Sequence, residues 1–265
     1  MSNGRVLFII VTGSGEDYGW SEHARMTPFR PEHNIDVAML FWGKNEYFDE
    51  FWKSAKYIHK QKGMKFHLIR DFFKKNPEII DKYDYFFIMD DDIYMTREDI
   101  VLFMEIFQTF GFDLASPGFY KESGHSKFTK KPATIYRTLN TVDVGAVCLS
   151  KRAFLATKPL IDASLHGHGW GIPEWWLTNY HERNGRSIHG GRIGSIDASG
   201  AEHTRKMNAQ NENLSSFGPQ EEERKFVERE FIGRKVTWWM EIRQFEKMTG
   251  EKLKLIIQEA NAKDV

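Results

Sequence analysis

Hydrophobic positions along the chain fall into two patterns: short, densely apolar runs, and longer stretches with one apolar face. Residues 5–11 carry the unbroken run Val6-Leu7-Phe8-Ile9-Ile10-Val11, closed by Thr12-Gly13-Ser14-Gly15. A run of bulky aliphatic and aromatic residues bounded by a turn signal predicts a buried strand. Residues 35–42 predict a second strand, closed by Gly43. Tyr47, Phe51, Ala55 and Ile58 form a helical stripe across residues 46–61. Residues 65–69 read as a short third strand, and residues 72–83 as a helix that Pro77 interrupts. Residues 84–89 predict a fourth strand. Thr96 and Asp99 then form a capping box for a helix that runs to residue 110 and stops at Gly111. Strands alternating with helices in this way predict an α/β fold with a doubly wound, mainly parallel (mixed) sheet.

The second half changes character. Residues 121–137 read as a loop with a net basic balance, and residues 142–149 as a strand. Ser150 caps a helix to residue 165 with Pro159 inside it. The turn His166-Gly167-His168-Gly169-Trp170-Gly171-Ile172-Pro173-Glu174 leads into a helix over residues 175–183, and Pro173 suits its first turn. Two short strands are expected at residues 187–189 and 193–196. From Asn208 the chain turns polar, and three charged amphipathic helices are expected to complete it. The division is thus a main domain over residues 1–207 and a helical C-terminal extension over residues 208–265, with no internal repeat.

Composition narrows the class. The 265 residues carry no formal net charge, which removes any whole-protein electrostatic case for nucleic acid or an anionic membrane. A single cysteine, Cys148, excludes an internal disulfide framework and reads as a small core residue. The first apolar run spans only six residues, too short to cross a bilayer, so a soluble cytoplasmic protein with no integral membrane segment is expected.

The densest chemistry lies at the end of the fourth strand, in Asp90-Asp91-Asp92. Open α/β sheets place ligands at the carboxyl ends of their strands. Alternation puts Asp90 and Asp92 on one side and Asp91 on the other, and two such carboxylates repel unless a cation or proton neutralises them. A divalent cation carrying substrate phosphates is therefore the sharp reading, and a solvated surface turn the plain one. In the glycine-rich turn, Trp170 and Gly171 offer a flat face and close backbone approach to a sugar. Glu174 sits at a helix start, where the dipole favours its ionised form, so it is a candidate general base. The plain alternative is a helix-start acid. His203, with Arg205 or Lys206 beside it, is placed to add a nitrogen ligand and a phosphate contact. Thr12 and Gly13 carry half of a dinucleotide-type turn, against which a base or ribose rests, with Trp42 or the Arg70-Asp71 pair to read the base. A tight turn is the competing reading.

Taken in order, these residues resemble a metal-dependent glycosyltransferase of the GT-A fold. Asp90-Asp91-Asp92 matches its D-x-D motif, Glu174 its catalytic-base position and His203 its late histidine. Val144-Gly145-Ala146, His168-Gly169-Trp170-Gly171 and Ile196-Asp197 narrow the resemblance to a little-characterised group of glycosyltransferases, which carries aspartate where Glu174 stands. The resemblance spans residues 5–207. It implies a UDP-sugar or other nucleoside-diphosphate sugar as donor, and an acceptor hydroxyl on a saccharide, a lipid-linked sugar or modified DNA. It further implies Mn²⁺ or Mg²⁺ held by Asp90, Asp92 and His203, and inversion with Glu174 as base. Thr12, Gly13, Trp42, Asp71, Asp90, Asp91, Trp170, Gly171 and Arg205 become the nucleotide-sugar contacts. Two other classes stay open. One is a nucleic-acid-directed enzyme or binding module using the aromatic-basic stretch of residues 119–137; the other is a phosphate-processing metalloenzyme drawing on Glu16-Asp17.

Overall fold

A computed structural model describes residues 4–13, 29–43, 55–90, 92–120, 128–204, 219–236 and 244–247. The predicted first, second and fourth strands are present as β1 (Val6–Thr12), β2 (Ile35–Phe41) and β4 (Tyr85–Asp90). All seven residues of β1 are buried, as an unbroken apolar run requires when both faces of a sheet are covered. The chain adds β3 (Tyr57–Lys60), helices α1 (Lys65–Lys75) and α2 (Ile79–Lys82), and the two-residue strand β5 (Ile93–Tyr94). Next come α3 (Arg97–Thr109), β6 (Phe112–Phe119), β7 (Thr134–Thr138) and β8 (Ala146–Ser150). Helix α4 (Lys151–Ala163) follows, then α5 (Ile172–Trp175), continued by a π turn over Trp176–Tyr180. The long strand β9 (Arg192–His203) precedes α6 (Gln220–Val227), which a second π turn extends over Glu228–Ile232, and β10 (Gln244–Lys247).

The strands form one mixed sheet in the order β10-β7-β9-β6-β8-β4-β1-β2-β3, with β5 paired to β9. The N-terminal part, β3-β2-β1-β4, is parallel throughout. Beyond it, β8 runs antiparallel between β4 and β6, and only β6 and β9 pair in parallel. Successive strand residues point to opposite faces, so two cores form. Leu7, Ile9, Phe86 and Ile88 meet α1, α4, α5 and Val227 of α6 on one face, while Phe8, Ile10, Phe87 and Met89 meet α3 on the other. Both expected caps are made: Thr96 accepts from the Asp99 N–H and Ser150 from the Ala153 N–H.

Several expectations are corrected. Residues 57–60 are a strand and not the end of a helix; Ile58 is exposed because β3 is the sheet's edge and presents its outer face to water. Residues 65–69 open a helix, since Phe66, Ile69, Phe72 and Phe73 line one helical face packed in the core. Strand β6, with Asp113, Ser116, Pro117 and Gly118, lacks a strand-like composition. Tertiary bonds compensate: the buried Asp113 accepts hydrogen bonds from Ser150, Ser187 and Arg152. Strand β7 occupies part of the expected basic loop, and β9 runs through His203 instead of stopping at residue 196. Residues 244–247, expected in a helix, pair as a strand with β7. Expected features at residues 46–54, 121–127, 205–218, 237–243 and 248–265, together with Glu16 and Asp17, lie outside the described residues.

Candidate active site

The carboxyl ends of β1, β2 and β4 lie side by side, because Val11 pairs with Asp90 and Thr12 with Phe41. At this edge the Thr12 carbonyl accepts the Trp42 N–H at 3.0 Å. A Cβ on Gly13 would lie 2.0 Å from the Trp42 ring, and one on Gly43 only 1.5 Å from the Gly13 carbonyl oxygen. Only glycines permit this stack, which leaves Trp42 38% exposed at the crest. Thr12, Gly13 and Trp42 thus come together as expected. Asp71 does not follow a strand but sits on α1, where Arg70 Nε donates to it at 2.8 Å and Gln61 donates to its other oxygen. The Arg70 bond foremost holds its carboxyl below the usual range. The Gln61 N–H bonds the Phe41 carbonyl at 3.0 Å, tying Asp71 to the same edge beside Trp42.

Asp90 ends β4 on the face of Phe86 and Ile88, and its partner is a residue the sequence reading passed over. Lys65, buried at the first turn of α1, places Nζ 2.9 Å from Asp90 Oδ1 and donates to the Val144 carbonyl. Asp143 is a second such residue. Its Oδ1 accepts the Gly145 N–H at 2.7 Å, and a Cβ on Gly145 would meet Asp143 and Asp90 alike. Desolvation first, with the charges of Asp92 and Asp143 added and Lys65 opposing, lifts the Asp90 carboxyl to about 6. Neither residue carries a sequence motif. Lys65 reads as a strand opening, and Asp143 becomes visible only once β8 is known to run antiparallel to β4, which brings its start level with the end of β4.

Asp92 follows the end of β4 and leads into β5. Strand β4 ends at Asp90, and β5 then pairs with the end of β9, Ile93 opposite His203. The Thr204 N–H and hydroxyl both donate to the Asp92 carbonyl, at 2.8 and 3.1 Å. This ladder sets Asp92 Oδ2 3.5 Å from His203 Nε2, with 6% and 7% of the two side chains exposed. A buried carboxylate and imidazole at the outer limit of hydrogen-bond distance fit shared ligation of one divalent cation. Among the described residues no group of three or more His, Cys, Asp or Glu side chains converges for metal binding. A cation held by this pair would take its remaining ligands from phosphate oxygens and water, the usual habit of Mg²⁺ at phosphate sites. Asp90 meets Lys65 here, so of the expected trio Asp92 and His203 face each other while Asp90 forms an ion pair. Asp91 and Arg205 lie outside the described residues.

The glycine-rich turn packs on the start of α1. The Phe66 N–H donates to the Gly167 carbonyl at 3.0 Å, and a Cβ on Gly169 would lie 2.0 Å from the Phe66 ring. Gly169 and Gly171, at φ of 82° and 95°, bracket Trp170 and leave it 43% exposed. Glu174 lies in the first turn of α5 and is 4% exposed. Thr141 anchors that turn by donating to the Pro173 carbonyl at 2.9 Å, two residues before Asp143. Arg224 of α6 faces the same region, its pKa raised by Glu221 foremost and in part by Glu174.

Two cations of the basic stretch, Arg137 and Lys130, are committed to the fold. Arg137 and Asp197 are both fully buried and joined by bidentate bonds of 2.6 and 2.9 Å, so Arg137 faces no phosphate backbone. Lys130 donates to the Ala198 carbonyl at 3.3 Å and stands over the Tyr120 ring. Among the described residues no helix is long and apolar enough to cross a membrane.

In the metal-free protein the raised Asp90 pKa fixes the sign of one pH dependence. The folded state binds a proton near pH 6 that the unfolded carboxyl, titrating near 3.8, has released. This group therefore contributes stability at low pH that is lost as pH rises from about 4 through about 6. Denaturant midpoints from pH 4 to 7 in chelator check this: Asp90→Asn is expected to remove the corresponding slope. An unchanged slope would contradict the assignment.

No protein family matches the sequence, and no curated protein does. Solved structures do match in fold. The glucosyl-3-phosphoglycerate synthase from Mycobacterium tuberculosis, in complex with Mg²⁺ and uridine diphosphate, aligns with a TM-score of 0.55 at 11% identity, over 88% of this chain and 81% of that one. A mycobacterial protein aligns with a TM-score of 0.53 at 11% identity, over 88% and 76%. GalNAc-T7 with UDP, GalNAc and Mn²⁺ aligns with a TM-score of 0.50 at 10% identity, over 76% of this chain and 43% of that one. The chain thus spans less than half the length of GalNAc-T7. Identities this low speak to architecture, and with the mixed sheet and its strand order they show that the chain has the GT-A fold of nucleotide-sugar glycosyltransferases.

Proposed function

We propose that the protein is a metal-dependent glycosyltransferase that moves a sugar from a nucleoside-diphosphate donor, a UDP-sugar, to an acceptor hydroxyl with inversion. The observation that carries the reading is the Asp92–His203 pair, brought together by the β5–β9 ladder beside Asp90 at the ligand-binding edge of a GT-A sheet. The crystallised relatives of that fold that hold UDP with Mg²⁺ or Mn²⁺ support the donor class. Asp92 and His203 would hold Mn²⁺ or Mg²⁺, with Asp90 beside them paired to Lys65, and the cation would supply charge neutralisation of the leaving diphosphate.

The remaining roles belong to the chain itself. The Gly13–Trp42 crest and Asp71 seat the nucleoside. The Lys65 ammonium keeps positive charge beside Asp90 where the diphosphate approaches. Trp170 and Gly171 offer a stacking face to the sugar, and Glu174 accepts the proton of the attacking hydroxyl. The bond from the acceptor oxygen to the anomeric carbon forms as the bond to the phosphate oxygen breaks. The diphosphate leaves with that electron pair, and the proton ends on Glu174.

The test is a thermal-shift panel of UDP-glucose, UDP-galactose and UDP-N-acetylglucosamine with and without Mn²⁺. A donor held a hundredfold above its Kd is expected to stabilise the protein by about 2.7 kcal/mol, several degrees in Tm, only with Mn²⁺ present. Asp92→Asn is expected to lose that increment. Stabilisation by no donor, or full metal-dependent stabilisation of Asp92→Asn, would sink the reading.

A further inference from the structure

Helix α6 follows the last strand of the ligand-binding edge, yet it grips the glycine-rich turn at several points. Glu223 is 1% exposed, and its carboxylate accepts the Ser164 hydroxyl and, at 2.9 Å, the His168 N–H. Ser164 Oγ in turn accepts the Gly167 N–H at 3.0 Å, so one carboxylate fixes both ends of the turn before Trp170. Val227 lies one helical turn further on the same face, where a Cβ added to Gly171 would meet its Cβ at 2.6 Å. Arg224, between them, interacts with Glu174. A helix that only covered apolar surface would bury an apolar residue here. Removing a carboxylate from water is costly and is offset by charge-assisted bonds to groups it must then hold in place.

We infer that Glu223 is a positioning residue: through Ser164 and His168 it fixes the turn that carries Trp170 and leads into Glu174, which makes α6 a wall of the acceptor site. The inference rests on the reading of Glu174 as the base. Glu223→Gln keeps the shape but offers an amide donor where two donors already point. Glu222→Gln is the control, since among the described residues that exposed neighbour reaches His166, at 3.4 Å, and not the two donors that Glu223 holds.

Two readouts decide. One is amide hydrogen exchange over residues 164–171. The other is steady-state release of UDP from the three UDP-sugars with Mn²⁺ and water as acceptor. Glu223→Gln is expected to raise exchange in the turn and lower kcat about tenfold, through Glu174, with a smaller rise of about threefold in KM for the donor through Trp170, the pattern chiefly of a displaced reacting group. Glu222→Gln is expected to alter neither, and Glu223→Asp to regain part of kcat. Unchanged exchange in Glu223→Gln overturns the clasp, and raised exchange with wild-type kcat overturns its catalytic role. A wild-type protein that releases no UDP overturns the transfer reading and the catalytic half of this inference with it, while exchange still judges the clasp.

Discussion

Glu174→Gln is expected to lower sugar transfer by about 10²–10⁴-fold while leaving UDP binding with Mn²⁺ within about twofold. The amide keeps the size of the side chain and removes its capacity to take a proton, so the loss falls on kcat. The surroundings make the substitution clean. Thr141 holds the Pro173 carbonyl on one side of Glu174, and Thr178 donates to the carbonyl of Glu174 itself at 2.8 Å. The backbone of α5 should therefore keep its place, and an unshifted Tm would show that it does. UDP release from a UDP-sugar, with water as acceptor, is the measurement. Activity within about tenfold of wild type would remove Glu174 from the role of base and return it to a buried helix-start acid.

The largest expected effect on stability lies away from the site, at Arg137. Its guanidinium also donates to the Thr129 carbonyl and to Ser195, so four oxygens share one buried cation. Burial pushes the Asp197 carboxyl up, and the Arg137 bonds oppose this. Arg137→Met leaves that carboxylate in the core without its counter-charge, which costs about 3–5 kcal/mol. The variant is expected to recover partly as pH falls and Asp197 protonates, because an acid with a raised folded-state pKa loses stability as pH rises. Adding Asp197→Leu is expected to restore most of the loss, since replacing a whole buried pair is far milder than breaking it. Urea denaturation of the single and double variants at pH 5 and 7 checks both points. A single variant no weaker than the double one would refute the account.

Parallel strands announce themselves in sequence because both of their faces are buried, and β1, β2 and β4 were legible for that reason. The second half hides its strands. Strand β6 is paired along its length and fully buried, yet Asp113, Pro117 and Gly118 give it the composition of a loop. The carboxylate of Asp113 is satisfied by residues up to 74 positions away. Tyr57–Lys60 and residues 65–69 were interchanged in type because a few apolar residues suit either period until the next element is placed. The candidate site divides in the same way. Asp92, His203 and Glu174 carry suggestive chemistry where they stand in the chain. Lys65, Asp143 and Glu223 are ordinary surface-type residues until the topology folds them inward, and Asp90 proved to have a lysine partner that no local pattern announces.

Strand β9 joins β6, β7 and β5, and its last residues bring His203 to Asp92. During synthesis the chain presents Asp92 first and His203 about 110 residues later. At typical ribosomal speeds that is an interval of roughly 6–22 s. The strands β1, β2 and β4 can find their register within it, but the carboxylate waits for its imidazole. On the proposed function, cation binding is then a late event in the life of each chain, and a nascent chain arrested before residue 203 is expected to hold Mn²⁺ no better than a lone aspartate does.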